Sequence, residues 1–244
     1  MRGMLNGVIM RLTVRAVLGR RRALLLAVPP IMLIGLSALL KATAHSNVWP
    51  PEFLGTFGYT VILALTALII GGSVIGAEVE DGSIVHLLAT PVTRRSVVLS
   101  KYVVAVGLTA AFAAVPEYLA GAIATGPGSK LAIGLFVGAL AGSVIYNALF
   151  VMATAVFSPG RALAFGLLYV VLWEALLANY VPGVSLLAAG HYSLAIANSI
   201  AHSGALHANL TAGTAIVMGA VVTVAALVLS VRRMSAFSIK GDVA

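Results

Sequence analysis

Residues 54–101 read LGTFGYTVILALTALIIGGSVIGAEVEDGSIVHLLATPVTRRSVVLSK. From Leu54 to Ala77 the chain carries no charge and is mostly apolar. A helix needs about 20 such residues to cross the hydrocarbon core of a bilayer, so this stretch is a membrane span. It ends abruptly in Glu78-Val-Glu-Asp-Gly-Ser, passes through Pro91 to Arg94-Arg95, and returns through Lys101 into another apolar run. Acids, a glycine and then two arginines on so short a connection form a polar loop suited to meeting a soluble partner.

The rest of the chain repeats that contrast. Of 244 residues, 61% are hydrophobic and 9% charged, and the mean hydropathy is +1.07. No soluble domain of this length hides so much apolar surface, so lipid is the solvent. The formal charge of +8 does not indicate nucleic acid: a nucleic-acid face gathers Lys and Arg on one folded surface, whereas here they flank apolar runs. With no cysteine, a disulfide framework, a thiolate metal site and a Cys nucleophile are all excluded.

Six apolar runs are long enough to cross, at about 23–40, 57–77, 102–124, 131–157, 162–180 and 210–231. Strands of a membrane barrel would show about ten residues of alternating polarity, and none do. The basic residues set the orientation. Arg2, Arg11, Arg15, Arg20, Arg21, Arg22, Arg94, Arg95, Lys101, Arg161, Arg232, Arg233 and Lys240 fall on one side, and Lys41 and Lys130 on the other. The positive-inside rule therefore predicts cytoplasmic termini and a cytoplasmic 78–101 loop, in a multi-pass protein of a plasma membrane of bacterial type.

The expected architecture is an all-α membrane protein in three parts: an amphipathic interfacial helix over 1–22, a six-span domain over 23–231 and a cytoplasmic tail over 232–244. The first part rests on Met4, Leu5, Val8, Ile9, Leu12 and Ala16, which recur at helical spacing with Arg11 and Arg15 elsewhere around the helix. Arg20–Arg22 before an apolar run, with Ala42-Thr43-Ala44 after it, mimics a signal peptide. The run exceeds a normal signal core, so an uncleaved first span is expected. Between spans 5 and 6, residues 181–207 are too apolar for a solvated loop yet are interrupted by Pro182, Gly183, Gly190 and Gly204. Short re-entrant or interfacial helices on the outside would satisfy that backbone.

Within the 78–101 loop, Gly82 ends the acidic run. Ser83 can cap a short helix whose Ile84, Leu87 and Leu88 share one face. Thr90-Pro91 stops it, and Thr93 can cap the helix entering span 3. This is a short coupling helix held off the membrane by two hinges. The order Glu78, Glu80, Asp81, Gly82, Ser83, Leu87, Leu88, Pro91, Thr93, Arg94 and Lys101, with Arg95 beside Arg94, resembles the cytoplasmic loop of type-2 ABC transporter permeases. It departs from that family at Val79, where a basic residue is common, and at Ser83, where Thr is usual. The resemblance implies a permease that dimerises with a second copy or a paralogue. It implies docking of ABC ATP-binding subunits on these loop residues, with ATP and Mg bound on the partner and no cofactor on this chain. It also implies an outer re-entrant region like 181–207.

Other chemistry is sparse. No Gly-x-x-x-x-Gly-Lys-Ser/Thr phosphate loop exists, so ATP hydrolysis must lie on another chain, and Gly126-Pro-Gly-Ser-Lys130 lacks the spacing. His45, His86, His191, His202 and His207 form no i, i+4 pair, so no metal site is expected. Glu117 and Glu174 are the only acids inside apolar runs. Such acids face a cavity or a partner, because bare burial in lipid is costly. Two readings stay open: a place with Asn147 along a substrate pathway, or structural hydrogen bonds to Tyr118, Asn147 or Tyr180. Gly134, Gly138 and Gly142 form a small-residue ridge on span 4, expected to serve packing within the subunit. An ATP-driven exporter permease is thus the expectation. A gradient-driven secondary transporter or channel is the alternative, for which a 3+3 inverted repeat would be expected and none is convincing. An embedded enzyme lacks any nucleophile–base signature.

Overall fold

The computed structural model describes residues 5–43, 49–80, 93–181, 183–204, 206, 208 and 210–236, all helix, turn or coil. Among the described residues eight α-helical or mainly α-helical segments follow one another: α1 (Gly7–Val17), α2 (Arg20–Thr43), α3 (49–80), α4 (Arg94–Thr125), α5 (Lys130–Val156), α6 (159–180), α7 (Ala189–Ala201) and α8 (Ala212–Ala236). Six of them, α2 to α6 and α8, are long and apolar enough to cross a membrane. Each overlaps one of the six runs read from the sequence.

Spans 2, 3 and 4 (α3, α4, α5) form the centre, with 56–67% of each window buried, against 22–28% for spans 1, 5 and 6. The peripheral helices expose Leu24, Leu25, Val28 and Ile31 on α2, Leu168, Val171 and Leu176 on α6, and Ile216, Val217 and Val221 on α8. Water would not tolerate that continuous apolar girdle, and bilayer hydrocarbon does.

The glycine ridge explains how the centre closes. A Cβ at Gly134 would sit 2.6 Å from the Ala197 carbonyl. At Gly138 it would sit 2.5 Å from the Ser193 carbonyl and from the Tyr59 hydroxyl, and at Gly142 2.4 Å from Ser193 Oγ. Missing side chains thus let α7 lie antiparallel against α5, its most extensive neighbour, with Tyr59 of α3 wedged alongside and donating to the Leu135 carbonyl at 2.7 Å. The ridge packs within the subunit, as its spacing suggested.

Three spans widen into π-type turns, at Leu54–Leu63, Ala110–Ala114 and Tyr169–Leu177. For span 3 the cause is legible. Pro116 has no N–H and its ring would strike the carbonyl four residues earlier, so the backbone loosens just before it.

The N-terminal segment differs from the expected continuous 1–22 helix. Asn6 caps α1 by accepting from Val8 and Ile9 N–H. The helix ends at Val17, and Arg20–Arg22 form the first turn of α2 instead. Gly19, a poor helix former, permits the break. The apolar set also divides: Ile9 and Val17 are buried with Thr13, while Leu5, Val8 and Leu12 are exposed beside Arg11 and Arg15. One edge of α1 packs on α3 and α4, leaving the other apolar edge outward.

Candidate functional site

The Arg94 end of the bundle carries the roots of the 78–101 loop. Glu78 and Glu80 occupy the last turn of α3; Asp81, Gly82, Ser83, Leu87, Leu88 and Pro91 lie outside the described residues, and with them the expected coupling helix. The exit is described. Thr93 caps α4 as expected, its hydroxyl accepting from Ser96 N–H at 3.4 Å. Arg94 donates from Nη1 to the Met234 carbonyl at the end of α8. Arg95 is exposed. Ser100 Oγ accepts from Asn6 N–H at 2.9 Å. Lys101, only 1% exposed, donates from Nζ to the Val74 carbonyl of α3. The two helices bounding the loop are therefore joined to each other, to the N-terminal helix and to the end of span 6.

The intramembrane polar residues occupy separate seats. Glu174 is 2% exposed. Its Oε1 accepts from the Tyr169 hydroxyl at 2.8 Å and its carboxylate accepts from Gly190 N–H at 3.1–3.2 Å. The same Tyr169 hydroxyl accepts from Ala189 N–H at 3.2 Å. Helix α7 has no capping side chain of its own, so span 5 supplies the cap from outside. Two of the four orphan N–H groups of a helix start are satisfied, and a carboxylate faces the positive end of its dipole. Gly190 is needed there: a Cβ would lie 2.8 Å from Glu174 Oε2 and 3.0 Å from the Tyr146 hydroxyl. Trp173 Nε1–H donates to the Leu187 carbonyl at 3.2 Å, tying the preceding turn to the same span.

Glu117 is fully buried, and neither carboxylate oxygen has a hydrogen-bond partner among the described residues. It presses into a notch in α3, where a Cβ on Gly58 would be 2.0 Å from Oε1. Asn147 bonds from Nδ2 to Thr109 Oγ1 and the Ser143 carbonyl, both at 2.8 Å, and its Oδ1 is unpartnered among the described residues. Among the described residues, Glu117 has no hydrogen bond to Tyr118, Asn147 or Tyr180. Tyr118 instead donates to the Pro127 carbonyl at 2.8 Å, and Tyr180 is 80% exposed.

Sequence reasoning missed Tyr169, because residues five apart do not share a face of an α-helix. They do in the π-type turn of span 5. It also missed the depth of Lys101, which composition alone presents as an interfacial cation. Among the described residues no three His, Asp or Glu side chains gather as metal ligands.

A bundle of six helices long and apolar enough to cross a membrane, with apolar side chains exposed along its peripheral helices, defines a polytopic α-helical membrane protein. The model of the ABC-2 family transporter protein matches residues 18–181, spans 1 to 5 with the 78–101 loop between them. The chain belongs to this family, and is a multi-pass membrane permease of an ABC transporter. No curated protein matches it. Membership implies association with an ABC ATP-binding subunit, and the transport component is not itself the catalyst.

Proposed function

We propose that the chain is the permease half of an ATP-driven exporter, in which a separate ABC subunit binds ATP and Mg and pushes on the 78–101 loop. The observation that carries this reading is the pinning of the loop roots through Lys101–Val74, Arg94–Met234 and Asn6–Ser100. A force applied between residues 80 and 93 reaches spans 2, 3 and 6 and α1 together. The charges support it. Acids at the end of α3 and arginines in the first turn of α4 both oppose their helix dipoles, so they do not serve helix stability. With Asp81, the acids Glu78 and Glu80 and the exposed Arg95 would meet an opposite-charged docking surface, while Arg94, held on the Met234 carbonyl, would pass the push on to span 6.

The thirteen-to-two distribution of basic residues favours cytoplasmic termini in a bacterial inner membrane. In that orientation α7 and the turn Val184–Leu187 form the outer re-entrant region, since α7 starts level with Glu174 and runs outward along α5. Two copies, identical or paralogous, would enclose the pathway, with Glu117, Asn147 and Glu174 as its candidate polar positions. The test is co-purification with the ATPase, and ATP-driven transport in proteoliposomes, for wild type and Asp81→Lys. Equal ATPase recovery and equal transport in both would reject the coupling role of the loop.

A further inference from the structure

A cleft of about 570 Å³ opens at the Trp49 end of span 2, remote from the loop roots. One face of α3 makes its wall, through Trp49, Glu52, Phe53, Thr56, Phe57 and Thr60, while Leu40 of α2 and Ala175 of α6 close the sides. The aromatic rings form a ladder, with centroids 6.3 Å apart from Trp49 to Phe53 and 5.2 Å from Phe53 to Phe57, the second pair stacked. Glu52 is exposed and is the single charged side chain in the lining; no Lys or Arg of the described residues contributes to it.

We propose that this cleft binds lipophilic organic cations. Its volume falls in the range of small-molecule sites, about 300–1,000 Å³. Aromatic faces attract a cation through their quadrupole and also bury its apolar body, and Trp does this best. Glu52 at the rim supplies the complementary charge, and Thr56 and Thr60 add hydroxyls to an otherwise apolar wall. Two other occupants fit less well. An acyl chain would press hydrocarbon onto the Glu52 carboxylate. A second copy offering the exposed Leu, Ile and Val faces of α2 or α6 would leave that carboxylate uncompensated. As a statement about cargo the proposal rests on the exporter reading; as a statement about binding it does not.

The experiment is equilibrium dialysis of tetraphenylphosphonium against the permease in nanodiscs without ATP, with neutral triphenylphosphine oxide as control. Saturable binding of the cation is expected, weakened about threefold to tenfold by Glu52→Gln and by Phe57→Leu, which keeps apolar bulk but removes the ring. Triphenylphosphine oxide should be indifferent to Glu52→Gln. Unchanged melting temperatures would show that both variants fold. Cation affinity equal in wild type and both variants would overturn the proposal, as would equal sensitivity of the neutral control to Glu52→Gln. Efficient disulfide crosslinking of Phe53→Cys between copies, undiminished by saturating cation, would overturn it in favour of a subunit seam. Normal variant-sensitive binding with no ATP-driven uptake in proteoliposomes would count against the exporter reading and leave the binding site standing.

Discussion

Tyr169→Phe is the most informative single change, because one hydroxyl serves two elements. It donates to Glu174 Oε1 at 2.8 Å and accepts from Ala189 N–H at 3.2 Å. Removing it keeps the ring and its edge-on packing against Tyr146 and Phe150, at centroid distances of 6.5 and 6.3 Å. The loss is therefore almost purely of hydrogen bonds. A bond to a carboxylate is worth about 1.5–3 kcal/mol net, and stranding a buried N–H costs about 1–3 kcal/mol. Relaxation lets some of this be recovered, so about 2 kcal/mol is expected. For a chain of this length that lowers the melting temperature by about 4–8 °C. Glu174→Gln keeps an acceptor for Gly190 N–H and should cost less, about 1 kcal/mol. The assay is thermal unfolding of the purified permease for both variants and the double variant. A shared network predicts non-additivity of at least about 0.5 kcal/mol. Strict additivity, or a Tyr169→Phe shift below about 1 °C, would refute the idea that span 5 caps α7.

Gly138→Val should cost at least about 2 kcal/mol, because even the Cβ has no room between the Ser193 carbonyl and the Tyr59 hydroxyl, each 2.5 Å away; a melting temperature near wild type would deny the close contact of α5 with α7. Glu117→Met should leave the melting temperature unchanged or raise it, since an apolar side chain of similar size replaces a buried carboxyl with no partner among the described residues. A fall of several degrees would reveal a stabilising bond, and transport by the same variant tests the pathway role. Cysteines placed at Arg95 and Gly128, both exposed, should be labelled by an impermeant reagent from opposite sides of the membrane; equal labelling on intact cells would sink the assigned orientation. Glu78→Lys should reduce recovery of the ATPase with the permease while leaving insertion intact, and undiminished recovery would remove that acid from docking.

The spans were legible because their signal is cumulative: twenty apolar residues in a row outweigh any local ambiguity. The cap on α4 was legible for the opposite reason, since Thr93 acts on a residue three positions away. What escaped is non-local or breaks helical period. Glu117 stood out as an acid among apolar neighbours, but nothing in the chain points to Gly58 as the notch that receives it. Glu174 was suspected while its true partners were not: Tyr169 reaches it only through a π-type turn, and Gly190 lies across a chain reversal. In α1 the apolar residues recur at helical spacing, but a single stripe could not show that Ile9 and Val17 turn to the protein while Leu5, Val8 and Leu12 turn away.

The seating of α7 against a glycine face also bears on how the molecule is made. Helix Ala189–Ala201 has thirteen residues, too few to cross a bilayer and carrying His191, Ser193 and Asn198 toward a place lipid would refuse. It has no stable address on its own. Its berth consists of Gly134, Gly138 and Gly142 on a helix made earlier, together with α8, which is made later. Each span is apolar enough to partition singly, but α7 gains its place only against partners already in the membrane: the glycine face of α5 and the Tyr169–Glu174 cap from span 5, with α8 packing on it as well. The six spans owe their place to the bilayer, whereas α7 owes its place to the protein.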